Sequence, residues 1–124
     1  MTANAQTVAI LGASNKQDRY SYKAFELLQE FGHAVIPVHP VLEQIDGVTV
    51  VPALDQIETA VDTLTVYVNA TVSADLAKEI IALRPGRVIF NPGAESSDLV
   101  EVLESKGIPC KEACTLILLQ TGQF

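Results

Sequence analysis

The sequence of 124 residues is poor in the residue types that build metal sites, disulfide frameworks and basic surfaces. Two cysteines, Cys110 and Cys114, cannot form a disulfide framework, and two histidines do not complete a zinc site, so we expect no metal. Eight Lys and Arg stand against fifteen Asp and Glu, for a formal net charge of −7. This balance argues against a nucleic-acid or membrane-surface partner, because both are bound through a basic face.

Targeting and membrane segments are also missing from the sequence. No apolar run of about 18 residues or more occurs, so no membrane span is predicted. The first six residues lack the basic start and apolar block of a signal peptide, and we expect a cytoplasmic protein. Because 48% of the residues are hydrophobic and only 19% are charged, the chain is not disordered. Its length suits a single domain over 1–124.

Short apolar runs alternate with amphipathic stretches along the chain. The runs predict strands at 8–11, 34–38, 49–51, 64–68, 87–90 and 108–111, although Pro37 would remove a ladder hydrogen bond from the second strand. Helices are predicted at 20–31, through Leu54, Ile57 and Val61, through Leu76, Ile80 and Leu83 after a cap at Ser73, after a cap at Ser97 or Asp98, and at 115–120. The alternation with short connections predicts one α/β domain with a doubly wound parallel sheet of Rossmann-like type.

The loop after the first strand has the composition of an anion site. Gly12 allows a tight turn, and the helix that follows offers free N–H groups and the positive end of its dipole. Short donors and cations are concentrated there: Ser14, Asn15, Lys16, Arg19, Ser21 and Lys23. Since these cations are three of eight in an acidic chain, we expect a local phosphate site, with an ordinary solvated helix start as the alternative.

The same loop departs from the dinucleotide fingerprint, which is Gly-x-Gly-x-x-Gly with an acidic residue about 20 positions later. Ser14 and Gln17 stand where the second and third glycines would be. The second strand ends in Val-His-Pro at 38–40, and the next carboxylate is Glu43. These departures point away from NAD and suit a ribose that carries an extra phosphate. An NAD(P)-binding redox module stays an alternative.

Four motifs occur in order along the chain: Gly-Ala-Ser at 12–14, Arg-Tyr-Ser at 19–21, Val-Ile-Pro-Val-His-Pro at 35–40 and Asn-Pro-Gly-Ala-Glu at 91–95. Together they resemble the small, stand-alone CoA-binding proteins, which are similar to the N-terminal CoA-binding domain of the succinyl-CoA synthetase α subunit. The resemblance covers almost the whole chain, from about Val8 to Phe124. It implies a Rossmann-type fold that binds coenzyme A or an acyl-CoA.

The resemblance also implies where each part of coenzyme A would lie. Residues 12–14 would lie at the diphosphate with Arg19 and Ser21, residues 38–40 beside the adenosine, and residues 91–93 near the pantetheine arm. A contact of His39 with the 3′-phosphate is one hypothesis, and a bystander role is the other. Asn69 lies just past a predicted strand at the ligand edge. The candidate ligand contacts are Gly12, Ala13, Ser14, Lys16, Arg19, Ser21, Val38, His39, Pro40, Asn69, Asn91, Pro92 and Gly93.

The sequence shows no set of residues spaced for catalysis, and we expect a binding module without an activity of its own. The resemblance supplies no reaction, since the phosphorylated histidine of the synthetases belongs to a later domain that we do not expect here. His33 follows Gly32, where a helix would end, and is interpreted as a helix C-terminal or surface residue. Tyr67 is interpreted as a core residue.

Cys114 carries the remaining enzymatic alternative. It precedes the last predicted helix, whose dipole would favour a thiolate that exchanges with CoA disulfide or accepts an acyl group. The simpler interpretation is that Cys110 and Cys114 are small buried apolar residues. Residues 116–119 are all apolar and would pack on the sheet or form a homodimer contact. A partner enzyme that this chain regulates is a further alternative.

Overall fold

Strands and helices alternate along the chain, as the periodicity of its apolar residues predicted. The computed structural model describes residues 5–124. The strands are β1 (Thr7–Leu11), β2 (Ala34–Val38), β3 (Gln44–Ile45), β4 (Val48–Thr49), β5 (Thr63–Val66), β6 (Arg87–Phe90) and β7 (Cys110–Glu112). The helices are α1 (Tyr20–Glu30), α2 (Ala70–Asp75), α3 (Ala77–Leu83), α4 (Ser97–Ser105) and α5 (Thr115–Gln120), with a 3-10 turn at Leu54–Gln56.

The central sheet has five parallel strands in the order β2-β1-β5-β6-β7. From β1 the chain first crosses to β2 on one side and then adds the later strands on the other side. The strand order therefore reverses between β1 and β5, which confirms the predicted doubly wound sheet. In sheets of this kind a crevice opens beyond the carboxyl ends of the strands at the point of reversal.

The central strand β1 is buried on both faces. Ala9 and Leu11 pack in one apolar cluster with α3 and α4, whereas Val8 and Ile10 pack in a second cluster with α1 and α5. Successive side chains of a strand point to opposite faces, so a strand covered on both faces needs an uninterrupted apolar run. This is the run that the sequence shows at 8–11.

Pro37 is accommodated because β2 lies at the edge of the sheet. It stands opposite Ile10 of β1, and its carbonyl oxygen accepts a hydrogen bond from the Val51 N–H at 2.9 Å. An edge strand can lack one N–H without breaking a ladder on its outer side. The predicted strand at 34–38 is confirmed with these bounds.

The predicted strand at 49–51 is wrong in its extent and its partner. β4 pairs antiparallel with β3 in a separate hairpin, and only a single parallel bridge joins Val51 to Val38. Asp46 and Gly47 turn the hairpin with φ of 49° and 83°. Two successive residues of positive φ are typical of the tight turns that favour Asp-Gly.

The predicted helix through Leu54, Ile57 and Val61 is also wrong. Only the 3-10 turn at Leu54–Gln56 forms, and Ile57 has an extended backbone with φ −76° and ψ 123°. All three side chains pack in or against the cluster on the α3 and α4 face. The three residues are spaced as in a helix because a loop places all of them against the same apolar cluster.

Two predicted caps and several element boundaries differ from the structure. Asn69 caps α2 by accepting from Val72 N–H at 3.0 Å, whereas Ser73 lies inside α2 and donates to the Ala70 carbonyl at 3.3 Å. Ser96 caps α4, one position before the predicted Ser97 or Asp98. The helix predicted after Ser73 corresponds to α3, and the additional helix α2 precedes it. The first helix ends at 30, the strand predicted at 64–68 spans 63–66, and the last strand begins at 110. A serine hydroxyl can cap a helix or bond a carbonyl inside it, so residue type alone does not choose the cap.

Candidate ligand groove

Three clefts lie side by side across the carboxyl edge of the sheet. The apolar cleft has a volume of about 340 Å³ and is lined by residues that include Val38, Pro52, Ala53, Leu54, Leu76 and Glu79. The central groove, of about 510 Å³, is lined by residues that include Ser14, Asn15, Lys16, Arg19 and His39. The far cleft, of about 380 Å³, is lined by residues that include Tyr20, Asn91, Pro92, Cys114, Leu116 and Ile117. Gly12, Pro40, Val68 and Val72 line the first two clefts, and Tyr67 lines the last two, so neighbouring clefts adjoin.

Gly12 sets the shape of the loop between the apolar cleft and the central groove. Its φ is +89°, and a Cβ added there would lie 2.9 Å from Val68 Cγ1 and 3.3 Å from the Tyr67 carbonyl carbon. Only glycine lets the loop approach the end of β5 this closely. The N–H groups of Gly12 and Ala13 both donate to the Val38 carbonyl, at 3.3 Å and 3.2 Å. These two amides are thus engaged within the protein, while Gly12 and Ala13 still line the groove.

The cations of the first loop that the sequence singled out divide into two groups. Lys16 and Arg19 are exposed and line the central groove. Lys23 instead lies over the Tyr20 ring, with its Nζ 5.3 Å from the ring centroid. Ser21 is buried at 5% exposure and is not among the described residues that line the groove. The structure therefore brings together two cations, Lys16 and Arg19, from the predicted set.

The start of α1 adds to the positive character of the central groove. Arg19 precedes this helix of 11 residues, no side chain caps it, and its first turn holds no acidic residue. The first N–H groups of a helix have no partner inside the helix, and the helix dipole places partial positive charge there. Ser14 shapes the loop before it by accepting a hydrogen bond from the Lys16 N–H at 3.0 Å. An anion in this groove would meet two cations and a helix N-terminus.

Residues 38–40 lie at the border between the central groove and the apolar cleft. Val38 is buried at 3% exposure and lines the apolar cleft, and Pro40 lines both. His39 is half-buried in the central groove, and its Nδ1 accepts hydrogen bonds from the N–H groups of Val41 and Leu42, both at 3.0 Å. The segment therefore has an apolar side and a polar side.

Sequence reasoning missed the walls of the apolar cleft. They come from the segment 52–55, from Val68 after β5, from Val72 on α2, from Leu76 between the two helices and from Glu79 on α3. One carboxylate oxygen of Glu79 is covered and has no hydrogen-bond partner. The only signal of these walls in the sequence was the apolar character of residues 50–54, which were assigned to a predicted strand and a predicted helix instead.

Asn91 holds the far cleft together. It is 1% exposed, its Nδ2 donates to Thr65 Oγ1 at 2.7 Å and to the Val66 carbonyl at 3.0 Å, and its Oδ1 accepts from the Thr115 N–H at 2.9 Å. The hydroxyls of Thr65 and Thr115 are themselves hydrogen-bonded at 2.8 Å. Asn91 thus joins β5, β6 and α5, and both its side-chain nitrogen and its side-chain oxygen are hydrogen-bonded within the protein.

The other candidates from the later strand ends are placed differently. Pro92 lines the far cleft, whereas the Gly93 N–H donates to Glu95 Oε1 at 2.9 Å. Asn69 is exposed as the cap of α2, and neither Asn69 nor Gly93 is among the described residues that line the three clefts. Their contact with a ligand stays a prediction.

Tyr67 separates the central groove from the far cleft. It was interpreted as a core residue, but it is half-buried and lines both. Its hydroxyl oxygen is buried beside the hydroxyls of Thr65 and Thr115, which are bonded to each other. Burial raises the pKa of Tyr67 to about 12, so the phenol stays protonated at neutral pH.

The two cysteines differ in their surroundings. Cys114 is half-buried, precedes α5 and lines the far cleft. Cys110 lies on β7, where burial, with a smaller contribution from Glu104, raises its pKa to about 11. Both thiols are free. Their different positions correct the interpretation of both as buried apolar residues, since Cys114 borders a cleft.

His33 lies far from the groove, at the amino ends of the strands. It was interpreted as a helix C-terminal or surface residue: the first is confirmed, because its N–H donates to the Leu28 carbonyl at the end of α1, but the side chain is not at the surface and is 8% exposed. Its Nδ1 accepts from the Gln6 N–H at 3.0 Å, and burial together with the nearby Arg87 lowers its pKa. The local sequence does not reveal this burial, because Gln6, Arg87 and Phe124 come from distant parts of the chain.

Metal and membrane sites were not expected from the sequence. Among residues 5–124, no group of three or more His, Cys, Asp or Glu side chains is arranged to hold a metal ion. None of the helices in the described part of the chain is long and apolar enough to cross a membrane.

Comparison with known proteins adds to this geometry. A family described as CoA binding domain matches residues 6–120. A crystal structure of a protein described as uncharacterized is 36% identical, with a TM-score of 0.88 over 97% of this chain and 98% of the other. The protein cell-free ID.343 from Thermus thermophilus is 30% identical, with a TM-score of 0.88 over 97% of this chain and 91% of the other.

A larger enzyme contains the same fold. The dinucleotide-forming acetyl-coenzyme A synthetase 1 of Ca. Korarchaeum cryptofilum, in complex with phosphate and ADP, aligns with a TM-score of 0.73 and 16% identity. The alignment covers 85% of this chain and 25% of that enzyme. At this identity the likeness shows the fold alone.

Proposed function

The chain belongs to the CoA binding domain family, and we propose that it binds coenzyme A or an acyl-CoA along the carboxyl edge of its sheet without catalysing a reaction of its own. The observation that carries this proposal is the order of the three adjoining clefts. An apolar cleft, a cationic groove and a largely uncharged far cleft follow one another across the strands. Coenzyme A has the same order, from adenine through phosphates to the pantetheine arm.

The central groove supports placing the diphosphate beside Lys16 and Arg19. A diphosphate carries negative charge, and these are the two cations that line the groove at the uncapped start of α1. Phosphate at a helix N-terminus is stabilised by both the free N–H groups and the dipole. Although the chain has a net charge of −7, no acidic residue is among the described residues that line this groove, so an anion there faces cations without a neighbouring carboxylate in the lining.

The far cleft suits the pantetheine arm. It lies beyond Tyr67, over the ends of β6 and β7, and residues such as Pro92, Leu116 and Ile117 line it. From β1 to β7 there are three strand spacings, roughly 14 Å in all. A long, flexible and uncharged arm that starts at the diphosphate can run along this edge to Cys114.

Binding without catalysis is supported by how the polar groups of the far cleft are used. Asn91, Thr65 and Thr115 bond one another, and the Tyr67 phenol stays protonated at neutral pH. A general base or nucleophile needs a free acceptor or an ionised group that faces the ligand. The side chains of Asn91, Thr65, Thr115 and Tyr67 instead fix the shape of the cleft.

A direct test is a thermal-shift series with coenzyme A, dephospho-CoA and NAD at equal concentration. A ligand present at a hundred times its Kd should add about 2.7 kcal/mol of stability. We expect coenzyme A to raise the Tm most and NAD least. A shift with NAD and none with coenzyme A would overturn the proposal and restore the redox-module alternative.

The carrier alternative that uses Cys114 needs its own test. CoA disulfide would exchange with a thiolate to give a protein–CoA mixed disulfide and free coenzyme A. Mass spectrometry after incubation with CoA disulfide should show no adduct on wild-type protein if the chain only binds. An adduct that disappears in Cys114→Ser and persists in Cys110→Ser would favour the carrier and contradict simple binding.

A further inference from the structure

The far cleft is lined by apolar side chains that the fold leaves partly exposed. In α5, Leu118 and Leu119 anchor the helix to the core, at 5% and 2% exposure. Leu116 is half-buried and Ile117 is 57% exposed, and both line the cleft. Tyr20, at the start of α1, is 68% exposed and lines it from the other helix. Two helices therefore contribute exposed apolar surface to one cleft, and a ligand gains affinity by covering such surface.

The far cleft offers no partner for a charged group. No lysine, arginine, histidine, aspartate or glutamate is among the described residues that line it. Asn91 is hydrogen-bonded within the protein through both its side-chain nitrogen and its side-chain oxygen. Lys23 lies over the Tyr20 ring but is not among the described lining residues. An ionised group in this cleft would lose water without gaining an opposite charge, which is unfavourable.

The two neighbouring clefts differ from the far cleft in this respect. Lys16 and Arg19 line the central groove, and Asp55 and Glu79 line the apolar cleft. Of the three clefts, as the described residues line them, the far cleft alone has no charged side chain. The part of a ligand that occupies it is therefore expected to be uncharged and apolar.

On the basis of the proposed function, we infer that the far cleft receives the acyl group of an acyl-CoA, and that this acyl group is aliphatic, short and uncharged. The pantetheine arm that runs past Tyr67 toward Cys114 brings the thioester and its acyl chain to the cleft that Ile117 and Tyr20 line. Drug-sized ligands occupy pockets of about 300–1,000 Å³, and this cleft of about 380 Å³ also holds the end of the arm, so only a few carbons fit. A dicarboxylic acyl group would place its carboxylate where no cation lines the cleft, as far as its described lining extends.

The experiment is calorimetric titration of the protein with coenzyme A, propionyl-CoA, butyryl-CoA and malonyl-CoA at one ionic strength. The propionyl and malonyl groups have the same number of carbons and differ by a methyl group against a carboxylate. We expect malonyl-CoA to bind about tenfold or more weakly than propionyl-CoA. Both aliphatic thioesters should bind more tightly than coenzyme A. Butyryl-CoA should exceed propionyl-CoA by about twofold to fourfold, because a methylene moved fully from water into an apolar site contributes about fourfold.

Ile117→Lys tests whether the acyl group lies against α5. The substitution adds the missing cation at an exposed position, so malonyl-CoA should gain about tenfold relative to propionyl-CoA, and the advantage of butyryl-CoA should shrink. Val102→Lys is the matched control, because Val102 is 42% exposed on α4 and is not among the described residues that line the three clefts. It brings the same charge and should leave the ratios unchanged. The Tm of both variants reports whether they fold.

The outcomes distinguish this inference from the proposed function. If wild type binds neither coenzyme A nor its thioesters, both are overturned. If it binds all four with the same Kd, or malonyl-CoA at least as tightly as propionyl-CoA, the proposed function stands and the inference is overturned.

Two further outcomes would also overturn the inference. If Ile117→Lys and Val102→Lys change the ratios equally, the preference arises from the overall charge of the protein. If sedimentation shows that Ile117→Lys converts a wild-type dimer into a monomer while the ratios stay the same, the exposed surface is a contact between two copies of the chain. The wild-type order of affinities needs no variant, so a variant that fails to fold does not remove the test.

Discussion

The two ends of the sheet use similar side chains in opposite ways. At the amino end, Thr63 Oγ1 donates to the Gln6 side-chain oxygen at 2.6 Å and accepts from Arg87 Nε at 2.8 Å. Arg87 also lies over the Phe124 ring at 4.6 Å, and His33 accepts the Gln6 N–H. At the carboxyl end, the cations and the histidine border an open groove instead.

This difference shows that a residue's role depends on which end of a strand it occupies. Arg87 and His33 each bond neighbours at this end, and we call their cluster with Gln6, Thr63 and Phe124 the amino-end network. Arg19 and His39 instead border the central groove. We therefore expect the amino-end network to contribute stability and the groove residues to contribute the proposed binding, and substitutions should separate the two.

The largest effect is expected at Gly12, where the groove depends on backbone geometry. Gly12→Ala forces a side chain into positive φ and against Val68 and the backbone of Tyr67. Strain and overpacking together should cost about 3 kcal/mol of folding free energy. Urea unfolding measures it. Gly47→Ala is the control, because its φ is +83° with no atom within 4 Å of the added Cβ, and it should cost only about 1 kcal/mol. Equal losses would contradict the role assigned to the close approach.

Asn91 is the exception at the carboxyl end, because its side chain is hydrogen-bonded within the protein, like the side chains of the amino-end network. Asn91→Ala leaves Thr115 N–H and the Thr65 hydroxyl without that partner in a buried site, which should cost about 2 kcal/mol. Asn69→Ala removes only the cap of α2 on the exposed side and should cost about 1 kcal/mol. Chemical unfolding of both variants checks the order. A larger loss at Asn69 would show that Asn91 is not the link between the strands.

Substitutions of Arg19 and Arg87 test directly whether the two ends of the sheet have different roles. Arg19→Ala should weaken coenzyme A about tenfold and leave stability within about 0.5 kcal/mol, because the side chain is exposed in the groove. Arg87→Ala should lower the Tm and leave the Kd unchanged, because Arg87 bonds Thr63 at the opposite end. Lys23→Ala, on α1 but stacked on Tyr20, is a second control for binding. If both arginine variants changed the same quantity, the division between the two ends would be wrong.

Replacement of His33 is expected to have the smallest effect on stability, and this effect is visible only in how the stability depends on pH. The folded state lowers the pKa of His33, so it binds fewer protons than the unfolded state near and below the ordinary value of about 6.5. The stability linked to His33 is therefore complete above about pH 6.5 and is lost as the pH falls below it.

The measurement is the Tm at pH 7.5 and 5.5, for wild type and His33→Asn. Asparagine keeps an acceptor for Gln6 N–H and does not titrate. The decrease in Tm between the two pH values should be smaller in the variant. The same decrease in both proteins would mean that other groups control the pH dependence.

The sequence predicted those parts of the fold that local periodicity determines. The apolar run at 8–11 and the helical spacing in α1 each define an element without help from distant residues. Residues 49–61 were predicted incorrectly because their apolar side chains cover a core built by other segments. Ser73 was predicted to cap the helix that carries Leu76, Ile80 and Leu83, whereas a helix begins earlier with Asn69 as its cap, because both residue types cap helices.

The candidate site was predictable to the same extent. Lys16 and Arg19 were found because cations are scarce in the chain and concentrated in one loop. The apolar cleft was missed because Ala53, Val68 and Leu76 meet only after the sheet has formed. The buried state of His33 and the structural use of Asn91 also depend on strands that are distant in sequence.

The strand order has a consequence for the kinetics of the protein. The groove opens between β1 and β5, and register pairs such as Val8 with Thr63 join residues far apart in sequence. The β1-α1-β2 unit can form first, since contacts close in sequence cost less chain entropy. The three clefts then form only after β5 has paired with β1. If coenzyme A binds there as proposed, we expect it to slow unfolding and to leave the rate of folding almost unchanged, because it would stabilise contacts that form late.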